Sequence, residues 1–384
     1  MHRRRFLSLA PPLAALAAAP AFIRNAYAQD GLSAKAVTIG CSGALSGPLA
    51  GFGADLKLGA AAAMGQINAK GGVNGRVLQF QMMDDGYVPQ RTVDNVGKMQ
   101  ADGNVFALMS CIGTPNNIAI VPLIEESNLP YVAPLTGASS LRKPGMRNVF
   151  HVRASYTDET QRLVQKLVTM GIKELAIVYL DNGFGKEVLG DATRALEAQG
   201  VKAVAQVALA TDGKNLAEAV HQVTASKPAA VLLGTAGAAS VGLIAALKKA
   251  SPMLPLAGLS VTLTSDGLKG LGVAGSGLAL TMVFPDPYRA KTPVVRDYQA
   301  AMRAIGQQEF SLGSLESYIN TLVLAEGLER AGRDVTRAKL RSALSSVQKF
   351  DLGGFSVDYS AAAPYVGSRY VDLGVLGAAG RFLG

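Results

Sequence analysis

The residues that most suggest chemistry form a glycine-rich run, SGALSGPLAGFG, at positions 42–53. The run follows a short apolar stretch at 37–40 and precedes a segment with helical character at 55–70. A glycine-rich loop between a strand and a helix often binds phosphate on the N–H groups of the helix start. This loop lacks both G-x-x-x-x-G-K-[ST] and G-x-G-x-x-G and has no lysine after its glycines, so a nucleotide site fits it poorly.

Catalytic side chains are sparse elsewhere in the chain. Beyond the first 28 residues the histidines are His151 and His221, no serine lies in a G-x-S-x-G pattern, and no His/Cys spacing suits a metal. Asp84 and Asp85 are the best carboxylate pair, but adjacent residues on a strand point to opposite faces. We expect them to cap the turn at Gly86. The sequence therefore does not indicate an enzyme, and we expect no cofactor and no metal.

The two cysteines, Cys41 and Cys111, are too few for a disulfide scaffold. Each ends a predicted strand, so the two could lie on neighbouring strands at one edge of a sheet. Two interpretations stay open, a bridge formed in an oxidising compartment and a pair of small buried thiols.

The first 28 residues have the composition of an export signal. Three arginines at 3–5 precede an apolar stretch, and Ala26-Tyr27-Ala28 forms a small-x-small cleavage site, so we expect cleavage after Ala28. The arginines suit either the twin-arginine route or the ordinary one. Removing the signal and its four arginines leaves 356 residues and lowers the net charge from +9 to +5. The remaining basic residues are scattered, which argues against a nucleic-acid partner.

Two halves of the chain follow the same pattern of elements. Each has a strand, a Gly-Phe-Gly loop (51–53 and 183–185) and a helix, and each third strand ends in Gly-Thr (113–114 and 234–235). Alternating strands and helices predict parallel sheets with helices on both faces. We therefore predict an α/β fold with two doubly wound parallel-sheet lobes.

Ligands of open α/β sheets bind outside the carboxyl ends of the strands, where both Gly-Phe-Gly loops fall. If the lobes face each other across a cleft, Phe52 and Phe184 form opposite walls of it. The alternative is that each phenylalanine packs beneath its own loop.

Several motifs, in order, resemble one known family. They are the run at 42–53, INAKGGVNGRVL at 67–78, DDGYVPQR at 84–91, GTPNNIAIVPLIEESNLPYVAP at 113–134, TGASSLR at 136–142, NVFHVRASYTDE at 148–159 and LDNGFGKE at 180–187. Together they resemble the periplasmic branched-chain amino acid binding proteins, which have the type I periplasmic binding fold. The resemblance implies a periplasmic receptor for an ABC importer, which binds a small-molecule ligand by hinge closure and docks on a membrane permease.

The resemblance also implies where the ligand binds. Its carboxylate would be held by Ile112, Gly113 and Thr114, and by Ala138 with Ser139, where helix starts and hydroxyls favour an anion. Ser139 could serve as an N-cap as well. Phe52 and Phe184 would flank the ligand. The further candidate contacts are Ser46, Thr136, Tyr156, Asp158, Asp181, Thr235 and Ser260.

One departure from the family concerns the ligand's ammonium group. Amino acid binders of this type pair it with an acidic residue in a second-lobe loop. The corresponding residues here, 258–262, contain no acidic residue, and the next one along the sequence is Asp266. Residues 236–240, AGAAS, replace aromatic residues of the amino acid binders. A buried ammonium without a carboxylate is costly. The ligand could thus be an aromatic or aliphatic carboxylate or an amide, although Asp158 or Asp181 could still accept an ammonium.

The predicted organisation has three interlobe crossings, near 153–156, 284–288 and 350–357. Lobe 1 would contain residues 35–153 and 285–354, and lobe 2 residues 154–284 and 355–384. Two other functions stay open. A binding protein of this fold can act as a sensor that controls a regulator, and an exported enzyme is the more distant alternative.

Overall fold

The computed structural model describes residues 30–378 and 380–383. The predicted signal segment 1–28 and its cleavage site lie outside the described residues. The strands are β1 (Ala36–Gly43), β2 (Val77–Asp84), β3 (Ala107–Met109), β4 (Tyr131–Val132), β5 (Val149–His151), β6 (Leu175–Leu180), β7 (Ala205–Leu209), β8 (Ala230–Gly234), β9 (Leu256–Gly258), β10 (Ala279–Met282), β11 (Phe350–Asp351), β12 (Ser356–Val357), β13 (Tyr365–Val366), β14 (Asp372–Leu376) and β15 (Phe382–Leu383).

The helices alternate with these strands through most of the chain. They are α1 (Ala50–Ala69), α2 (Pro89–Ala101), α3 (Thr114–Ser127), α4 (Tyr156–Thr169), α5 (Gly183–Ala198), α6 (Leu216–Ala225), α7 (Ala238–Ala250), α8 (Ser265–Leu271), α9 (Pro293–Ala304), α10 (Leu312–Ala331) and α11 (Arg337–Ser345). Short 3-10 turns lie at Ser139–Leu141 and Gly272–Gly275. None of the helices within the described part of the chain is long and apolar enough to span a membrane.

The first sheet has the strand order β13-β5-β4-β3-β1-β2, and all its pairings are parallel. Its inner strands β3 and β4 are apolar and buried because both faces of the sheet are covered there, whereas the edge strand β2 is partly polar and only partly buried. Ile39, Leu108 and Val132 are fully buried. Helices α1, α9 and α10 pack together, and α2 packs with α3. We call this sheet and its helices the first lobe.

The second sheet has the order β15-β14-β10-β9-β8-β6-β7. Five strands are parallel, while β14 and β15 run antiparallel at one edge. The helix pairs α4–α5 and α6–α7 pack on it, and we call the whole the second lobe. The predicted α/β class with two doubly wound lobes is confirmed, with the two antiparallel edge strands as an addition.

The chain passes between the sheets in three segments, 152–155, 283–292 and 367–371. The third was expected near 350–357, and the structure differs there. Strands β11 and β12 instead form a small antiparallel hairpin, and β13 then pairs with β5 of the first sheet. Gly353 and Gly354 adopt left-handed φ values of 81° and 101°, which lets the chain turn back instead of crossing. Residues 355–366 therefore belong with the first lobe.

Candidate ligand cleft

Both Gly-Phe-Gly sequences, expected as loops, form the first turn of a helix, α1 or α5, and both place a phenylalanine against the cleft in the same way. A Cβ on Gly53 would overlap the carbonyl oxygen of Ala44, and one on Gly185 would overlap that of Leu180. The missing side chains let each helix start lie directly against the strand that precedes it. As a result Phe52 and Phe184 are 6% and 3% exposed.

The two phenylalanines line one cavity between the lobes, with about 290 Å³ of empty space that includes its opening to solvent. Predicted residues in its wall are Phe52, Ile112, Gly113, Thr114, Tyr156 and Phe184, and the wall also contains Leu49, Tyr87, Leu135, Ala236 and Val261. Tyr156 packs edge-to-face on Phe184, with ring centroids 5.2 Å apart. Both lobes contribute, and four aromatic rings dominate the wall.

The polar end of the cavity lies in the first lobe. The Thr114 hydroxyl, in the wall, is hydrogen-bonded at 2.7 Å to that of Thr136, and the N–H of Ala138 donates to the Thr136 hydroxyl at 3.2 Å. The predicted residues Thr136 and Ala138 lie behind the wall and do not line the cavity. Helix α3 begins at Thr114, after Gly113 with a φ of 95°. Because the first N–H groups of a helix lack intrahelical acceptors, this end of the cavity favours an anion.

Two tyrosines add hydroxyl groups to the wall. Burial, with the neighbouring Tyr156, raises the pKa of Tyr87, and burial raises the pKa of Tyr156. Both phenols therefore stay protonated at neutral pH and can donate a hydrogen bond. The Asn182 amide donates to the Tyr87 hydroxyl at 3.5 Å across the cleft.

Tyr87 was missed because its position depends on a strained turn. Its φ is 66°, and its N–H donates to Asp85 Oδ1 at 2.8 Å. The N–H of Gly86 donates to Asp84 Oδ1 at 3.0 Å, so the expected capping of this turn is confirmed. Burial opposes ionisation of Asp84, but hydrogen bonds from Ser46 and backbone N–H groups outweigh it and lower its pKa.

Ser46 lies outside the cavity wall. Its hydroxyl donates a hydrogen bond of 2.7 Å to Asp84 Oδ2, which fixes the side chain there. Asp158 forms a capping box with Ser155 and an ion pair of 3.2 Å with Arg369. Asp181 pairs with Lys186 at 2.9 Å. Neither aspartate lines the cavity.

Thr235 and Ser139 also have other partners. Thr235 is fully buried and accepts a hydrogen bond of 2.7 Å from Ser240. Ser139 donates to the carboxylate of Glu187, a residue of α5 in the second lobe. The predicted carboxylate contact at Ser139 is thus filled by a side chain of the protein itself.

Ser260 belongs to a buried ion cluster where the lobes join. Its hydroxyl accepts from Arg153, and its N–H donates to Glu159 at 2.9 Å. Arg153 contacts Glu159 of the second lobe at 3.2 Å and Glu316 of the first lobe at 3.3 Å. Burial disfavours the charged guanidinium, but the two carboxylates outweigh it and raise the pKa of Arg153. The cluster pins the first crossing to both lobes.

A second cavity, with about 520 Å³ of empty space that includes its opening to solvent, is lined by Phe52, Asp55, Ser265 and Glu316 among others. Asp55, on α1, accepts hydrogen bonds from the N–H and hydroxyl of Ser265 on α8, at 3.2 and 2.6 Å. Burial raises the pKa of Asp55. By contrast, no acidic residue is found in the wall of the first cavity among the described residues.

The two cysteines are free thiols and fully buried. The N–H of Ser42 donates to Cys111 Sγ at 3.4 Å, and Cys41 Sγ contacts the carbonyl oxygen of Ser110 at 3.5 Å. Of the two interpretations, the structure has the buried thiols. Within residues 30–378 and 380–383, no cluster of three or more His, Cys, Asp or Glu side chains could hold a metal ion.

The comparison with known proteins agrees with this geometry. Residues 36–364 match the family model described as periplasmic binding protein. The chain belongs to the periplasmic binding protein family. Within it, this periplasmic binding protein falls in the type I branch with the branched-chain amino acid binding proteins, as the resemblance implied. Members of this family are substrate-binding proteins.

Among its relatives is the Leu/Ile/Val-binding protein BraC3 of Rhizobium johnstonii, 28% identical over 83% of this chain and 84% of the relative. A periplasmic substrate-binding protein from Ralstonia solanacearum is 30% identical, with a TM-score of 0.83 over 90% of this chain and 99% of that one. An ABC-transporter solute-binding protein from R. palustris, solved with benzoate, has a TM-score of 0.82 at 17% identity, over 91% and 95% of the chains. That last likeness shows the fold alone.

Proposed function

We propose that this periplasmic binding protein is the solute receptor of an ABC importer, exported to the periplasm, and that it captures a small carboxylate with an apolar body. One observation carries the proposal. The cavity has aromatic walls from both lobes, hydroxyls and a helix start at one end, and no acid in its wall. Such a cavity can desolvate an apolar group while holding an anion by hydrogen bonds.

The ligand that fits best lacks an α-amino group. An ammonium inside the cavity would lose its hydration without gaining a carboxylate partner, because Asp158 and Asp181 are engaged with Arg369 and Lys186. The benzoate complex of the R. palustris protein is consistent with an aromatic acid. The names of the Leu/Ile/Val-binding relatives favour an amino acid instead, so the experiment must separate the two.

The mechanism is hinge closure. The ligand carboxylate binds first at Thr114 on the first lobe, and Phe184, Ala236 and Val261 of the second lobe then cover its apolar body. Closure is driven by the ligand's tighter binding to the closed form than to the open one. The closed protein then docks on a membrane permease and releases its ligand there.

Calorimetry with a matched pair of ligands tests the ligand class. L-leucine and 4-methylpentanoate have the same apolar body and carboxylate, and only leucine carries the ammonium. We expect 4-methylpentanoate or benzoate to bind at least about tenfold more tightly than leucine, because an unpaired buried charge is costly. Tight leucine binding would contradict a ligand without an α-amino group. If none of the three ligands binds, the proposal that the protein is a receptor for small apolar carboxylates is wrong.

The two Gly-Thr sequences provide a matched pair of variants. Thr114→Val removes a hydroxyl at the polar end of the cavity, whereas Thr235→Val removes one that bonds Ser240 inside the second lobe. We expect only Thr114→Val to weaken ligand binding. Equal losses in both variants would show that the Thr114 hydroxyl does not hold the ligand.

Export has its own test. Purification from the periplasmic fraction followed by N-terminal sequencing should give a chain that begins at Gln29. A chain that retains residues 1–28 in the cytoplasm would contradict export.

A further inference from the structure

The turn at Ser139–Leu141 is a complete carboxylate site, and Glu187 fills it. Glu187 Oε1 accepts from the N–H of Ser139, from the Ser139 hydroxyl at 2.7 Å and from the N–H of Ser140 at 3.1 Å. Glu187 Oε2 accepts from the Ser140 hydroxyl at 2.9 Å. Four donors thus converge on one carboxylate, the arrangement that gives strong, charge-assisted hydrogen bonds.

The turn is held rigid from behind. Arg142 donates from Nη1 to the carbonyl oxygen of Ala138 at 2.8 Å and from Nη2 to that of Arg153 at 3.1 Å. Its guanidinium also places a positive charge near Glu187. The donors are therefore preorganised for an anion before Glu187 arrives, and little order has to be gained when the contact forms.

This contact crosses the cleft at its rim. Ser139 lies on the first lobe after β4, while Glu187 lies on α5 of the second lobe, one turn beyond Phe184. Ser139 is exposed and Glu187 is partly buried, so the contact lies outside the cavity that Phe184 lines. Separating the lobes must break all four hydrogen bonds at once.

We propose that Glu187 is an interlobe latch. Its carboxylate stabilises the closed cleft and, by filling the turn, keeps a ligand's own carboxylate out of it. The ligand's carboxylate is then restricted to the polar end of the cavity at Thr114. The predicted effect of Glu187 on ligand affinity rests on the proposed receptor function. The contact between the lobes does not, because Glu187 joins them directly.

Variants of Glu187 test the latch by calorimetry with 4-methylpentanoate, benzoate and leucine. We expect Glu187→Ala to weaken every ligand that the wild-type protein binds by the same factor, about tenfold, because the latch stabilises the closed form whatever the ligand. The loss should lie in faster dissociation. Glu187→Gln keeps the side-chain length without the charge and should give a smaller loss. Unchanged affinity would overturn the latch. A gain in affinity would overturn it too, because all three ligands carry a carboxylate and a gain would mean that the turn is their site.

The control is Glu197→Ala. Glu197 lies on the same helix, ten residues beyond Glu187, and is exposed, so this variant removes the same side chain away from the turn at Ser139–Leu141. We expect this variant to bind as the wild-type protein does. Unchanged thermal unfolding of all three variants would show that affinity is altered through closure and not through folding.

A second measurement tests the latch without any ligand. Small-angle scattering without ligand should give a larger radius of gyration for Glu187→Ala than for the wild-type protein, since the closed form is less populated. An equal radius of gyration would overturn the latch. If the wild-type protein binds none of the three ligands, the proposed ligand class fails, while the scattering comparison still decides on the latch.

Discussion

The two Gly-Phe-Gly sequences are built alike and differ at one position. In both, the last glycine lies against a backbone carbonyl at the end of the preceding strand or one residue beyond it, and the phenylalanine lines the cavity. A Cβ on the first glycine of the first-lobe sequence, Gly51, would overlap Asp266 of the second lobe. A Cβ on its counterpart, Gly183, would have Pro115 Cβ as its nearest neighbour, 3.9 Å away.

This difference separates two requirements that the same motif meets. The last glycine serves the internal packing of each lobe. The first glycine of the first-lobe sequence serves the contact between lobes, whereas the first glycine of the second-lobe sequence has room to spare. The lobes also contribute different groups to the cavity wall, because Thr114 and the start of α3 belong to the first, while Phe184, Ala236 and Val261 belong to the second.

The largest effects should come from the last glycines. Gly53→Ala or Gly185→Ala places a Cβ on a backbone carbonyl oxygen that cannot rotate away. We expect either change to lower the free energy of unfolding by about 3 kcal/mol, the upper range for overpacking a well-packed site. Urea denaturation measures the change. Gly97→Ala in α2, where a Cβ meets nothing within 4 Å, is the control and should raise stability slightly. If only one of the two variants lost stability, the two glycines would not have the same packing role.

The two phenylalanines should come next. Phe52→Ala and Phe184→Ala each remove one apolar wall, and burying such a side chain is worth about 1.5–3 kcal/mol, so we expect affinity to fall by about 10–100-fold in each. Calorimetry with the tightest-binding ligand measures the loss. Comparable losses would show matched walls, whereas no loss in one variant would mean that its phenylalanine only packs beneath its own loop.

The first glycines should give a smaller and unequal effect. Gly51→Ala should weaken ligand binding several-fold without lowering stability, because its Cβ obstructs the second lobe only when the cleft is closed. Gly183→Ala should leave affinity unchanged. Calorimetry combined with thermal unfolding checks both variants. Equal affinities for the two would show that the Gly51 contact does not limit closure.

The smallest expected effect is a pH dependence at Asp55, which joins α1 of the first lobe to Ser265 of the second. Because burial raises its pKa in the folded protein, folding favours the protonated carboxyl. The wild-type protein should therefore gain stability relative to Asp55→Asn as the pH falls through the raised pKa. The gain should level off below the usual value of 3.8, where the unfolded chain is protonated as well. Urea denaturation across this range measures the gain, and a stability difference that does not change with pH would contradict a raised pKa at Asp55.

Much of the fold follows from local pattern. The alternation of apolar strands and glycine-terminated helices predicts the two lobes, and the repeated Gly-Phe-Gly and Gly-Thr sequences place Phe52, Phe184 and Thr114 at the cavity. These features depend on neighbours within one strand–loop–helix unit, which is why the sequence alone reveals them.

The features that were not predicted depend on longer distances. Glu187 reaches Ser139 across 48 positions of sequence and only when the lobes face each other as they do here. Tyr87 enters the cavity because a turn imposes a positive φ on a residue type that rarely adopts it. Residues 350–357 were expected to cross between the lobes but form the hairpin of β11 and β12. Their glycines suit a crossing segment as well as a tight turn, so the sequence did not distinguish the two.

The buried cluster around Arg153 limits how the cleft can open. Its guanidinium is shared by a carboxylate from each lobe, and removing either partner would leave a buried charge unpaired, at a cost of about 3–5 kcal/mol. If the cleft opens with this cluster intact, the lobes must rotate about it and cannot slide apart. The displacement of any residue on opening would then increase with its distance from Arg153.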